Sequence, residues 1–209
     1  MDGVFNIYKQ TGFTSHDVVA VVRKTVHMKK VGHGGTLDPA AEGVLPVCLG
    51  RATKLTDYIM EGKKTYRAEL TLGVTTDTQD ATGQVLTEQP VDVSREALEA
   101  AVRGFIGAIE QVPPMYSARK VNGKKLYDLA RSGKEVEREA RTITIFDIKV
   151  EDYTRPKATL LVTCGKGTYI RTLCADLGEA LGCGGHMSAL TRTAVGRFTL
   201  ENAVTLEEL

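Results

Sequence analysis

The chain has 209 residues, 42% hydrophobic and 25% charged, with six prolines and a formal net charge of +1. That is the composition of a folded domain with a sizeable core, and it excludes a disordered or fibrous chain. No apolar run approaches the roughly 20 residues that cross a bilayer, and the opening MDGVFNIYKQTG lacks a charged-then-apolar signal layout, so a cytoplasmic protein is expected.

VFNIY predicts a short strand. TGFTSHD follows with a glycine turn and a Thr14-x-x-Asp17 capping pattern, and Val18, Val19, Val22 and Val26 recur at helical spacing, which predicts an amphipathic helix over residues 15–27. HGGTLDPAAEGVL then places a lone acid, Asp38, between a glycine pair and an apolar run. Pro39 biases the backbone of Asp38 to an extended conformation, and Gly34 and Gly35 permit close approach. Asp-Pro is also an ordinary turn starter, so this segment alone does not establish catalysis. Residues 51–61 suggest a second helix, and KTYRAELTLGV alternates, with Tyr66, Ala68, Leu70 and Leu72 on one face of a strand. TTDTQDATG is turn chemistry.

Ser94 caps a predicted helix over 94–106, with Leu98, Ala101, Val102, Phe105 and Ile106 along one stripe. QVPPMYS breaks regularity. From Arg119 to Arg141 the chain is basic and short of β-branched residues apart from a helical patch, KKLYDLARSG, and reads as an excursion from the core. TITIFDIKVEDY and ATLLVTC predict strands, CGKGTYIRTLCADLGEALG turns on two glycines into a helix, and HMSALTRTAVGRFTL reads as a β-like run. If residues 169–171 were strand, Tyr169 and Arg171 would share a face. NAVTLEEL reads as the first turn of a helix. Together these predict one α+β domain over 1–209 on a mixed, largely antiparallel sheet with flanking helices. The absence of GxGxxG and GxxxxGK[ST] argues against a dinucleotide or P-loop fold.

Charge is unevenly spread. Residues 1–64 carry +3 (nine basic, six acidic) and 119–141 carry +4 (eight basic, four acidic), whereas 65–118 carry −5 (three basic, eight acidic). Local basic patches steer a polyanion even when the molecule is near neutral, although each block taken alone is also what a solvated face looks like. Cys48, Cys164, Cys174 and Cys183 lie far apart with no CxxC pair, which suits reduced buried thiols better than a disulfide framework or zinc ribbon. Cys183 and His186 have a ligand-like spacing, but further ligands would have to come from scattered positions.

GHGGTLDPAAEGVLPVCLGRATKL resembles the signature of the TruB family of tRNA pseudouridine synthases, in which a G-[TAG]-L-D-P-x-A-x-G-[VM]-L core holds the catalytic aspartate. KTYRAELTLGVTTDTQDATG resembles the second family motif, and VPPMYSARKVNGKKLYDLARSGKEVEREAR the RNA-gripping thumb insertion. CGKGTYIRTLCADLGEALGCGGHMSALTRTAVGRF resembles the third motif and the stretch beyond it, so essentially the whole chain is covered. Two departures stand out: Lys9-Gln10 replaces the usual Lys-Pro, and the small C-terminal RNA-binding domain usual after the equivalent of TLEEL is expected to be absent.

The resemblance implies the pseudouridine synthase fold, with residues 119–141 as thumb, and a stand-alone enzyme that isomerises uridine 55 in the T arm of tRNA. It implies Asp38 as nucleophile, Arg171 as the arginine that pairs with that aspartate, and Tyr169 as the group that helps remove the C5 proton. It further implies Tyr66 stacked on the extruded uracil, His33 in the space the base vacates, and Leu190 as an apolar contact to the nucleotide. An aromatic ring compensates part of the stacking lost on base flipping. The partner is then tRNA, with no membrane, no obligatory protein partner and a monomeric state expected.

The chemistry agrees with one acid in the loop. A glycosidase needs two carboxylates about 5 to 10 Å apart to expel its base. Isomerisation breaks C1′–N1, turns the uracil and joins C5 to C1′, so nothing departs, one nucleophilic carboxylate suffices, and neither cofactor nor metal is required. Attack at C1′, attack at C6 and a glycal route are all open to Asp38. Competing readings are a catalytically silent tRNA-binding or tRNA-folding protein, a nucleoside glycosidase using Asp38 with Glu42, and an Asp-based phosphotransferase, which would lack its DxD pattern.

Overall fold

The computed structural model describes residues 1–117, 120–121, 124–126, 129, 132 and 136–209. Ten of the 23 residues of the basic stretch expected to form a thumb, 119–141, therefore lie outside the described residues. In chain order the elements are β1 (Gly3–Lys9), α1 (Ser15–Thr25), β2 (Val31–His33), β3 (Glu42–Leu49), a 3-10 turn (Gly50–Leu55), α2 (Thr56–Glu61), β4 (Lys64–Leu72), β5 (Val74–Thr76) and β6 (Val85–Glu88). Next come α3 (Arg95–Arg103), β7 (Gly107–Gln111), two short paired strands, β8 (Lys120–Val121) and β9 (Lys124–Lys125), β10 (Arg141–Thr154) and β11 (Lys157–Cys164). They end with α4 (Ile170–Ala180), β12 (Gly185–Val195), β13 (Phe198–Thr199) and a second 3-10 turn (Leu200–Asn202). This is the α+β fold on a mixed, mostly antiparallel sheet that the sequence predicts.

The chain divides into two compact units, Met1–Arg67 with Leu161–Lys166 and Ala189–Leu209, and Ala68–Leu160 with Gly167–Ser188. Strands β4, β11 and β12 contribute one end to each. In the first unit the strand order is β1-β3-β12-β4-β11, with β2 on β3 and β13 on β12. β1 and β2 run antiparallel to β3, while β12 runs parallel to it, with Thr191 opposite Glu42 and Arg192 opposite Gly43. Helix α1 starts on the capping box read from the sequence: Thr14 Oγ1 accepts the Asp17 N–H at 3.0 Å, and the Asp17 carboxylate accepts the Thr14 N–H at 2.8 Å. Such a cap stabilises a helix by about 1 kcal/mol. The helix stops at Thr25 because His27 takes a φ of 52°, outside the helical region. Val18, Val19 and Val22 join Ile7, Val31, Leu45, Val47 and Leu49 in a core, each side chain contributing about 1.5–3 kcal/mol by burial.

In the second unit the order is β12-β4-β11-β10-β7, with β5–β6 as a separate hairpin. Helix α3 is capped by Ser94, whose Oγ accepts the Ala97 N–H at 3.1 Å, and buries Leu98 and Val102. It ends at Arg103, earlier than its apolar stripe suggests, because beyond Gly104 the chain closes i→i+3 bonds, Phe105 to Val102 and Ile106 to Arg103. α4 packs against its own exit: a side chain on Gly178 would collide with Gly184 and Gly185, so only glycine fits.

Two further expectations are corrected. The helix expected over 51–61 splits into a 3-10 turn and α2, with the Thr53 and Thr56 hydroxyls bonding back to Gly50 and Thr53 carbonyls at 2.8 and 2.9 Å. NAVTLEEL is not helical: Thr205 and Glu208 make the start of a capping box, at 2.8 Å from the Thr205 N–H to the carboxylate, but no helical turn follows. Val204 instead bridges Ile7, with Tyr8 N–H donating to the Val204 carbonyl at 2.8 Å.

Candidate active site

In the first unit the loop between β2 and β3 carries Asp38, and its backbone is fixed on both sides of that residue. Gly35, at a φ of 129°, turns the chain out of β2. Buried Leu37 donates its N–H to Ser15 Oγ at 2.9 Å, and Ser15 returns its hydroxyl to the Leu37 carbonyl at 3.3 Å. On the other side, the Pro39 carbonyl accepts the Gly12 N–H at 2.8 Å and Lys9 Nζ at 3.4 Å, and the Asp38 carbonyl accepts the Ala41 N–H at 3.0 Å. The half-buried carboxylate of Asp38 therefore projects from a loop held at three backbone positions.

Lys9 and Arg192 supply the cations behind that loop. Lys9 is fully buried, and its ammonium also donates to the carbonyls of Gln10 and Phe13 at 3.0 and 2.7 Å. Burial pushes Lys9 down to about 8, opposed by the charge of Asp38. Arg192, buried on β12, donates to the carbonyls of Val44, Thr36 and Gly35 at 2.8, 3.3 and 3.1 Å. Neither was anticipated as a site residue. Lys9 was visible only as half of a departed Lys-Pro motif, and an arginine in an alternating strand reads as solvent-facing.

Three of the other expected residues surround the same groups. Tyr66 is half-buried on β4; burial raises its phenol, while the positive charge of Arg192 works in the opposite direction. His33 ends β2, with its ring edge-on to His16 at 5.4 Å between centroids. Burial first, then the charges of His16 and Arg192, push His33 below its ordinary value, so the imidazole is neutral at pH 7. Leu190 is buried two residues before Arg192, on the same face of β12. Glu42, the sequence's candidate for a second catalytic acid, accepts the Thr191 hydroxyl at 3.1 Å, and its charge helps raise the Tyr8 phenol after burial.

Tyr169 and Arg171 belong to the second unit, where they do not share a strand face: Tyr169 is the N-cap of α4 and Arg171 its second residue. A buried glutamine, Gln111, holds the Tyr169 backbone from both sides, accepting its N–H at 2.9 Å and donating to its carbonyl at 3.0 Å. The buried Arg171 guanidinium donates to the carbonyls of Tyr116 and Thr78 at 2.9 and 3.3 Å and faces the Asp80 carboxylate at 3.8 Å. Asp80 in turn caps its own turn, Oδ1 accepting from the Thr78 hydroxyl at 2.7 Å and from the N–H and hydroxyl of Thr82 at 2.9 and 2.6 Å. The turn composition of TTDTQDATG indicated such a cap but not that its free oxygen would oppose an arginine.

The other sequence candidates are occupied elsewhere. All four cysteines are buried and free, burial pushing Cys174 up to about 12. Cys183 donates to the Gly184 carbonyl, and His186 Nδ1 lies 2.9 Å from the Val74 carbonyl. Among the described residues no three His, Cys, Asp or Glu side chains are grouped to hold a metal, and no helix is long and apolar enough to cross a membrane.

Residues 23–170 match the family model described as TruB family pseudouridylate synthase (N terminal domain), and residues 171–209 match one described as tRNA pseudouridylate synthase B C-terminal domain. Among curated proteins, the tRNA pseudouridine synthase B of Alkaliphilus oremlandii (strain OhILAs) is 56% identical over 209 residues, covering all of this chain and 70% of that protein. That of Clostridioides difficile (strain 630) is 51% identical over 212 residues, covering all of this chain and 70% of that protein. Among solved structures, a chain of a Cbf5-Nop10-Gar1 complex superposes with a TM-score of 0.79 at 35% identity, over 99% of this chain and 53% of that one. A chain of an H/ACA RNP bound to a substrate RNA containing 2'-deoxyuridine gives 0.75 at 32% identity, over 99% and 52%. The chain thus spans about half the length of these solved chains. With the family model covering most of its length and relatives this similar over all of it, the chain belongs to the TruB family of pseudouridylate synthases.

Proposed function

We propose that this protein isomerises uridine 55 in the T arm of tRNA to pseudouridine, acting on a flipped-out base with Asp38 as nucleophile. One observation supports this beyond family membership: the backbone on either side of Asp38 is tied down, Leu37 to Ser15 and Pro39 to Gly12 and Lys9. A nucleophile held in one place before the substrate arrives does not spend substrate-binding energy on being ordered. In this reading Tyr66 stacks on the extruded uracil, Leu190 contacts the nucleotide and neutral His33 occupies the space the base leaves. Arg171 keeps the nucleophile ionised, its own position set by Asp80, and Tyr169 helps take the proton from C5.

The balance of the reaction is simple. C1′–N1 breaks, the uracil turns, C5–C1′ forms, and the proton on C5 is exchanged with solvent as a proton returns to N1. No group enters or departs, so the chemistry calls for neither cofactor nor metal. The hydrogen bond of Glu42 with the Thr191 hydroxyl weighs against a glycosidase that would need it as a free acid. We further propose that the enzyme acts as a monomer in the cytoplasm, with the basic residues of 119–141 following the phosphates of the folded RNA arm.

The test uses a T-arm stem-loop whose uridines carry tritium at C5, incubated with enzyme in EDTA. Release of one equivalent of tritium to water, absent with Asp38→Asn while RNA binding is kept, is the expected result. Tight binding with no release by the unmodified protein would replace the synthase reading by that of a tRNA-binding protein without turnover. Free uracil as product would indicate a glycosidase.

A further inference from the structure

The loop that presents Asp38 begins at Gly35 and enters β3 at Glu42, and its start and the first residues of β3 are gathered by one side chain that comes from more than 140 residues away in sequence. Arg192 Nη2 bonds the Gly35 carbonyl at 3.1 Å, Nη1 the Thr36 carbonyl at 3.3 Å and Nε the Val44 carbonyl at 2.8 Å. The backbone of the same residue takes part. In the parallel β3–β12 register Arg192 lies opposite Gly43, whose φ is 107°, and a Cβ there would come within 2.9 Å of the Arg192 nitrogen. The strand thus seats against the exit of the loop while its side chain crosses to the entrance. The positive charge of Arg192 also acts on the Tyr66 phenol, against the upward push of burial.

A merely structural bolt at this position would not need to be an arginine. Enclosing a guanidinium removes a charge from water, and well-packed apolar side chains of similar volume commonly replace buried charges without loss of stability. What an apolar side chain cannot do is offer a planar fork of donors to three carbonyls at fixed angles. We propose, resting on the synthase reading, that Arg192 is a positioning residue of the isomerisation: it sets the span of the Asp38 loop. Its effect falls on turnover and not on RNA capture, because its donors are spent on this chain's own groups.

The test compares unmodified enzyme, Arg192→Lys and Arg192→Met by tritium release from the T-arm stem-loop, with binding measured separately. Arg192→Lys keeps the charge but loses the fork. It should lower kcat by about 30-fold or more while KM and RNA affinity stay within threefold. Arg192→Met fills the space with no donor at all and should lower kcat at least as far, with KM unchanged. A folded Arg192→Lys with turnover within threefold of the unmodified enzyme would overturn the proposal. So would equal losses in kcat and RNA affinity, the mark of general loosening. Should Arg192→Lys not fold, Arg192→Met decides, and turnover there within threefold of the unmodified enzyme overturns the proposal. No release by the unmodified enzyme would instead refute the synthase reading itself, which keeps the two failures apart.

Discussion

Replacing Asp80 by Asn and by Ala separates two jobs that one carboxylate performs. Oδ1 accepts three hydrogen bonds that close the turn, from the hydroxyls of Thr78 and Thr82 and the Thr82 N–H, while Oδ2 faces Arg171 at 3.8 Å. An asparagine oxygen can keep all three turn bonds, so Asp80→Asn removes mainly the charge opposite the guanidinium. At this separation the gross attraction is about 4 kcal/mol at an effective dielectric of 20. Relief of the carboxylate's desolvation offsets part of that, and Arg171 keeps the Thr78 and Tyr116 carbonyls as acceptors, which leaves a net cost of about 2 kcal/mol. Asp80→Ala loses the turn bonds as well, at about 1 kcal/mol each, and should cost about 4 to 5 kcal/mol. Urea denaturation of the two variants measures both numbers. Turnover by Asp80→Asn should fall in parallel by at least about 30-fold, because Arg171 loses the anion that orients it. Equal destabilisation by Asn and Ala, or an Asp80→Asn variant within about 0.5 kcal/mol of the parent, would refute this division of labour.

Lys9 gives a signature in pH. Its pKa is pushed down to about 8 from an ordinary 10.5, so between those values the unfolded chain holds more protons than the folded one, and stability from this group rises with pH across the window. The unfolding free energy of the parent minus that of Lys9→Met should therefore climb from pH 8 to 10, approaching about 1.4 kcal/mol per pH unit, and parallel curves would disprove the assignment. In RNA binding, four Lys or Arg of residues 119–141 replaced by serine should flatten the dependence of log affinity on log salt by about 3, and an unchanged slope would remove that stretch from the interface.

The sequence was informative where the physics is local. The capping box of Thr14 and Asp17, the Ser94 cap and the alternation of β4 all depend on residues within a few positions of each other, and all are as expected. The candidate residues themselves came from a long motif, and the structure distributes them between two units, Asp38, Tyr66, His33 and Leu190 in one, Tyr169 and Arg171 in the other. What could not be read are the supports. Lys9, Arg192, Gln111 and Asp80 act through partners 30 to 157 residues away, and a charged or amide side chain in a strand or turn carries no local sign that it points inward. Tyr169 and Arg171 failed the shared-face expectation because a helix begins between them, where a two-residue spacing no longer means one face.

The cations that hold this fold are withdrawn from solvent. Among the described residues, Lys9, Lys64, Arg171 and Arg192 are enclosed, against one enclosed carboxylate, Asp80. The charge that meets water is therefore more negative than the formal +1 suggests. A buried charge still contributes to the field outside, so at a distance a polyanion meets the near-neutral total of +1, and only close in does it meet separate basic and acidic areas. Orientation of an RNA would then be selected before contact, by exclusion from the wrong faces as much as by attraction to the right one. Such selection weakens as salt shortens the reach of both forces to within about 10 Å at 0.1 M.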